Sequence, residues 1–314
     1  MKLTNKLFAL IALAGIIGLS SCLRDLESDA EKLQQQDNKR LADFIRDNNI
    51  TATFDPTGFY YSVLTDNPEG DTIANNDILG IYYTMTDLSG TPIDTYQASN
   101  GLPKLFQVTD SSILPFALNL AAGLMKEGET YRLYIPSYLA YGENSFEGLP
   151  GRTSLIVDLT IAEKLSLEDV AARDEEAILA FIAENEYEGV EEVAPGVYFQ
   201  VLEAGEGDSA AVDQLLDVRY EAFYFDDFQV AGSVSPVTIR VGNESTLLGL
   251  NEAFQYMNRG QKNRVILSSE KAHGKGLQII PERLREVLFN RGLISTNVRA
   301  YEPIVYEFEV LNVR

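Results

Sequence analysis

Chemistry that needs paired imidazoles or thiols is closed to this chain. Its 314 residues include one histidine, His273, one cysteine, Cys22, and no tryptophan. A single imidazole excludes most zinc sites and any mechanism that needs two, and it leaves a serine-histidine triad without support. The run His273-Gly274-Lys275-Gly276 has glycines and a lysine, but neither the spacing of a phosphate loop nor the Ser or Thr that would open a following helix. We therefore expect no metal, nucleotide or redox cofactor. What remains is hydroxyl and carboxylate chemistry, and the stretch Ile135 to Glu143, Ile-Pro-Ser-Tyr-Leu-Ala-Tyr-Gly-Glu, presents a hydroxyl. A strand ending in a proline turn delivers Tyr141 onto a loop, where it offers an apolar ring and one polar handle.

With Met125-Lys126-Glu127-Gly128-Glu129 upstream and Leu155 to Leu159 as a following strand, this stretch resembles the FKBP-type peptidyl-prolyl cis/trans isomerases. The resemblance runs from first strand to last over residues 57 to 164 and returns, more worn, over 195 to 314. It implies an α+β fold: two FKBP-like domains, each a curved antiparallel sheet wrapped on a short helix and each preceded by an amphipathic helix. The implied activity is rotation about X-Pro bonds, which faces a barrier of roughly 18 to 20 kcal/mol. No covalent step is needed, because a dry pocket for the proline ring and a few donors can favour the twisted amide by differential binding.

Followed residue by residue, the resemblance places the sheet tyrosine at Tyr83, its carboxylate at Asp94 and the loop donor at Tyr141. These three are the implied catalytic residues. The pocket would consist of Ile93 in place of an aromatic wall, Leu114 with a backbone amide that holds the ligand, Leu118 (or Ala117) in place of the floor tryptophan, Leu149 on the closing loop, and Val157 in place of the last-strand phenylalanine. In the second copy Tyr220 keeps the sheet tyrosine and Leu250 stands near the tryptophan position. Val230-Ala231 replace the aromatic-carboxylate pair, Ala272-His273-Gly274 replace the tyrosine loop, and Tyr306 takes the last-strand position. That copy is expected to be inactive.

An internal repeat organises the elements that must position these groups. Asp37, Leu41, Phe44, Ile45 and Asn48 recur as Asp174, Ile178, Phe181, Ile182 and Asn185, an offset of about 137 residues, and Gly70-Asp71 recurs as Gly207-Asp208. Apolar residues three and four apart predict amphipathic helices over Asp25 to Asn48 and Leu167 to Asn185, the second opened by a capping box of Ser166 and Asp169. Aromatic and β-branched runs predict strands at 59 to 64, 78 to 86, 131 to 135 and 155 to 161, and Leu114 to Met125 reads as one short helix with proline in its first turn. The resulting division is a tether and helix at 22–56, a first domain at 57–164, a linker helix at 165–194, and a second domain at 195–314. The last carries an insertion at 277–300, with a helical portion from Glu282 to Leu288, expected to plug or replace that domain's own site.

The N-terminus has Lys2 and Lys6, an apolar run from Leu7 to Leu19, and then Ser20-Ser21-Cys22. The run is too short to span a bilayer and has the flanks of a secretory signal. It resembles a bacterial lipoprotein signal peptide (1–21), which implies lipidation at Cys22, a membrane lipid anchor and an outer-membrane position in the cell envelope. A net charge of −22 argues against nucleic acid as a partner. The exception is a basic cluster around the insertion, from Arg259 to Arg299, which fits either an intramolecular match or an acidic partner. The expected function is an envelope-anchored isomerase acting on X-Pro bonds of unfolded or exported proteins. The alternative is a non-catalytic chaperone or scaffold lipoprotein that binds clients or subunits of an envelope complex through FKBP-derived grooves.

Overall fold

The computed structural model describes residues 29–110 and 112–314. The expected signal peptide, Cys22 and the beginning of the tether lie outside the described residues. Two antiparallel sheets follow one another along the chain. The first contains β1 (Thr53–Phe54), β2 (Tyr60–Thr65), β3 (Ile78–Asp87), β4 (Pro92–Tyr96) and β5 (Lys104–Gln107). After β6 (Ile113–Leu114), which stands outside it, come β7 (Thr130–Ile135) and β8 (Leu155–Leu165), giving the order β1-β2-β7-β8-β3-β4 with β5 also on β3. The second contains β9 (Glu191–Ala194), β10 (Val197–Glu203), β11 (Leu215–Phe223), β12 (Gln229–Arg240), β13 (Lys262–Leu267) and, beyond β14 (Gln278–Ile279), β15 (Ile304–Val313). Its order, β12-β11-β15-β13-β10-β9, is that of the first sheet read from the other end. The repeat in the sequence is thus a repeat of topology.

Strand β8 shows how the pattern produces the layer: Leu155, Val157, Leu159 and Ile161 are fully buried while the residues between them are half-buried, the two-residue period of a pleated sheet. Helix α1 (Asp29–Asp47) precedes the first sheet, α2 (Phe116–Ala122) lies across its inner face, α3 (Leu167–Glu184) links the domains, and α4 (Leu248–Phe254) repeats α2 on the second sheet. The helix predicted from Leu114 to Met125 is shorter than expected. Pro115 stands at its N-cap with φ −64° and ψ 142°, and proline drives the residue before it out of the α region, so Leu114 is left extended in β6. At the other end the Leu124 and Met125 N–H groups bond to Ala121 and Ala122 in tight turns. Two X-Pro bonds, Leu114–Pro115 and Ile280–Pro281, are cis.

The repeated helix motif has a structural purpose. Asp37, fully buried on α1, accepts from the Ser137 hydroxyl at the end of β7, and Asp174 on α3 accepts from Ser269 at the end of β13. Each helix is thereby pinned to its own domain through a buried carboxylate that accepts from a serine. Likewise the Asn48 and Asn185 amides donate to Phe44 and Phe181 carbonyls in the last helical turn. The predicted capping box of α3 forms in both directions, Ser166 with Asp169. Helix α3 also bonds to the first domain, since Arg173 pairs with Glu163 and donates to the Pro103 carbonyl.

The insertion does not plug the second domain. It leaves that domain as an arm made of β14, a 3₁₀ turn at Glu282–Leu284 and helix α5 (Arg285–Asn290), and β14 pairs in parallel with β6 of the first domain. Its aliphatic residues Ile279, Ile280, Leu284 and Leu288 are buried in the first domain's core cluster, so the expected plug acts across domains. Most of the basic cluster is consumed internally: Lys262 with Glu203, Arg264 with Glu307, Lys271 with Glu252, Arg285 with Glu282, and Arg299 with Asp226, Glu282 and Glu302. The intramolecular match therefore accounts for these cations.

Candidate active site

On β3, Tyr83 turns inward and is 5% exposed; its hydroxyl donates to Asp94 Oδ2 on β4 at 2.8 Å. Adjacent strands make this possible, since β3 and β4 pair with Tyr83 opposite Tyr96 and Met85 opposite Asp94. Burial first, and the Asp94 charge second, hold the Tyr83 phenol protonated far above its ordinary range. Tyr141 is fixed on the loop after β7 by a T-shaped contact with Phe146, 5.7 Å between centroids. Burial likewise raises its pKa, so it is a donor at any physiological pH.

The pocket residues come together around these groups. Leu118, Leu149 and Val157 are buried in one apolar cluster with Tyr83 and Tyr141, and Ile93 and Leu114 pack on it half-buried. Sequence reasoning missed Met85 and Phe106, both fully buried in the same cluster. Their signal was only that of inward positions on strands.

It also missed the occupant of the site. Ile279, Ile280, Leu284, Leu288 and Ile294 of the arm belong to the first domain's cluster, and the first two are 0% exposed. The Gln278 N–H donates to the Ser112 carbonyl at 2.8 Å and the Ile280 N–H to the Leu114 carbonyl at 2.9 Å. Tyr141 donates to the Ile280 carbonyl at 2.6 Å, and Pro281, which follows, is buried. Each such aliphatic side chain contributes roughly 1.5–3 kcal/mol when removed from water, less the cost of ordering it. An Ile-Pro dipeptide of the protein itself therefore lies in the groove, with its carbonyl on the loop tyrosine. The sequence carried a cue to this in Leu277-Gln-Ile-Ile-Pro281, an extended aliphatic run ending in proline within an insertion.

In the second domain Tyr220, Leu250, His273, Tyr306 and Phe308 line a pocket of about 580 Å³, which the arm borders with Phe289 and Val298 without filling it. Burial lowers the pKa of His273, keeping the imidazole neutral. Among the described residues no cluster of His, Cys, Asp or Glu is placed to hold a metal ion, and no helix is long and apolar enough to cross a membrane.

The first domain thus combines a sheet on a short helix, a buried tyrosine-carboxylate pair and a loop tyrosine that donates to the carbonyl before Pro281. Residues 70–162 and 206–311 both match the family of FKBP-type peptidyl-prolyl cis-trans isomerases, and the chain belongs to that family. It is 31% identical over 114 residues to FK506-binding protein 3 of Dictyostelium discoideum, covering 35% of this chain and 57% of that protein. It is also 31% identical over 102 residues to Outer membrane protein MIP of Legionella longbeachae, covering 32% and 42%. The chain thus spans about half the length of these curated relatives. Among solved structures, the three FKBP domains of wheat FKBP73 align over 84% of this chain and 99% of that one at 18% identity and a TM-score of 0.33.

Proposed function

We propose that the first domain is a peptidyl-prolyl cis/trans isomerase site for X-Pro bonds of unfolded or exported proteins, with Tyr83, Asp94 and Tyr141 as its working groups. The observation that carries this reading is the hydrogen bond from Tyr141 to the Ile280 carbonyl, directly before a buried proline. A donor there fixes one end of the X-Pro bond. A dry aliphatic pocket disfavours the strongly polar planar amide relative to the twisted one, so the pocket lowers the rotational barrier without covalent chemistry. Asp94 orients the Tyr83 hydroxyl and keeps that wall of the pocket in place.

The second domain, which lacks the carboxylate and the loop tyrosine, holds clients in its open pocket and does not catalyse. That pocket also favours a second reading, in which the protein is a non-catalytic chaperone or scaffold. The linker helix remains the divide, while the two sheets begin before residues 57 and 195, at β1 (Thr53–Phe54) and β9 (Glu191–Ala194). Attachment to the cell envelope through lipidated Cys22 rests on the N-terminal pattern and on the likeness to a protein named as an outer membrane protein.

The test is acceleration of a proline-limited refolding reaction by residues 23–314, which keep every described residue. The same chain with residues 277–298 replaced by a short Gly-Ser linker is run alongside. Loss of acceleration in Tyr141→Phe and Asp94→Ala supports the reading. No acceleration and no proline-peptide binding by either chain, both folded, would leave the scaffold reading.

A further inference from the structure

The segment in the first domain's groove is held in shape by the second domain. Arg285, 0% exposed, donates to the Leu277 carbonyl at 2.7 Å and the Val298 carbonyl at 2.6 Å while pairing with Glu282. One guanidinium thus ties both stems of the arm to its turn. Arg299 joins Glu282 to Asp226 and Glu302. At Gly276 the stems run so close that a Cβ would stand 2.6 Å from the Arg299 carbonyl oxygen. The arm's shape is therefore set within the second domain.

Its hold on the first domain is a separate set of contacts. These are the bonds to Ser112, Leu114 and Tyr141, the buried aliphatic residues, and two exposed arginines. Arg283 donates to the Glu147 carbonyl at 2.6 Å and Arg291 to the Ser145 carbonyl at 3.0 Å, clipping the arm to the loop that carries Leu149. One flank is not packed: a cleft of about 1080 Å³, lined by Ile113 and Phe116 on one side and Leu277 and Ile294 on the other, runs beside the arm.

We propose that residues 277–298 are an intramolecular ligand of the first domain's site, keeping it shut until an outside X-Pro segment displaces them. This rests on the reading of the groove as an X-Pro site. A ligand on its own chain meets its groove at an effective concentration on the order of millimolar, so only client segments present in quantity or held nearby compete. The contacts also define the competitor. It enters extended, presents alternate backbone N–H groups to the Ser112 and Leu114 carbonyls, and places a large aliphatic residue before proline where Ile280 and Pro281 now lie. A folded protein cannot offer that strand and an unfolded chain can, so the arm restricts the site to unfolded clients.

The experiment compares residues 23–314 with Arg283→Ala/Arg291→Ala, which removes the two exposed clips and the Arg291 contact over the Phe146 ring while leaving the buried aliphatic residues in place, and with the arm-replaced chain. Each is read by proline-limited refolding and by binding of a fluorescent peptide of sequence Ile-Ile-Pro-Glu. The expected result is activity and peptide affinity raised about fivefold in the double variant and further in the arm-replaced chain. A peptide of residues 277–289 added in trans should reverse both. Equal activity and affinity in the intact chain and the double variant would overturn the gate while leaving the isomerase reading in place. Folded, open chains that neither bind nor isomerise would overturn both. Should the arm-replaced chain not fold, the double variant decides.

Discussion

Asp174 accepts two hydrogen bonds from Ser269, one from its backbone N–H at 2.7 Å and one from its hydroxyl at 2.6 Å, across 95 residues of chain. The pair pins the linker helix to the second domain, as Asp37 and Ser137 pin α1 to the first. Burial nevertheless pushes the Asp174 carboxyl up to about 6, with the Ser269 bonds working against the shift. The folded state therefore holds this proton more tightly than the unfolded chain, whose carboxyl titrates near 3.8. This contribution favours folding more as pH falls from above 6 toward 4, and levels off below that. Urea midpoints at pH 7.5 and pH 5 should show Asp174→Asn gaining relative to the unaltered protein at the higher pH only. The difference between the two pH values should be on the order of 1.4 kcal/mol, and a pH-independent difference would assign the titration elsewhere.

Removing the Ser137 hydroxyl leaves the buried Asp37 carboxylate without that donor. We expect Ser137→Ala to lower stability by about 1–3 kcal/mol. Ser89→Ala, on an exposed turn with its bonds to Asp87 and Thr91, should change it by about 0.5 kcal/mol or less. Equal losses in chemical denaturation would mean that the helix pin carries no special weight.

Arg285 is the largest fully buried side chain of the described residues and satisfies two carbonyls and a carboxylate. Replacing it with methionine keeps the bulk but strands those acceptors. The cost should be about 3–5 kcal/mol, with amide exchange at Gln278 and Ile280 quickening as the arm loses its shape. Unchanged exchange at those amides would show that the arm is held by the first domain alone.

Leu118 shares one buried apolar cluster with Ile279 and Ile280 of the arm. Leu118→Trp, which adds a larger ring to that fully buried position, should overpack the cluster. We expect a loss of about 1–3 kcal/mol, together with a looser arm in hydrogen exchange. A stabilised protein with the arm still protected would mean that the space beneath Ile280 was empty.

How much of this was legible differs between particular residues. The inward set on β8 and the repeated helices follow from local spacing, because strand period and helix period fix which face a residue takes wherever the chain goes next; Tyr83 and Asp94 were marked only by the family resemblance, and their hydrogen bond belongs to the fold. The end of α2 was misread because the proline at 115 was placed inside a helical turn, and the extended residue before it went unnoticed. The partner of Tyr141 could not be read at all, since Ile280 lies 139 residues away. Nothing local says which of two similar sheets an aliphatic insertion will cover. The sequence by itself determined two FKBP-type units and their repeated helices, and it marked residues 277–300 as an insertion. Only the tertiary structure decided that the arm of one unit closes the site of the other. That choice depends on which apolar surface is left uncovered once both sheets have formed, a property of the assembled surfaces and not of any segment.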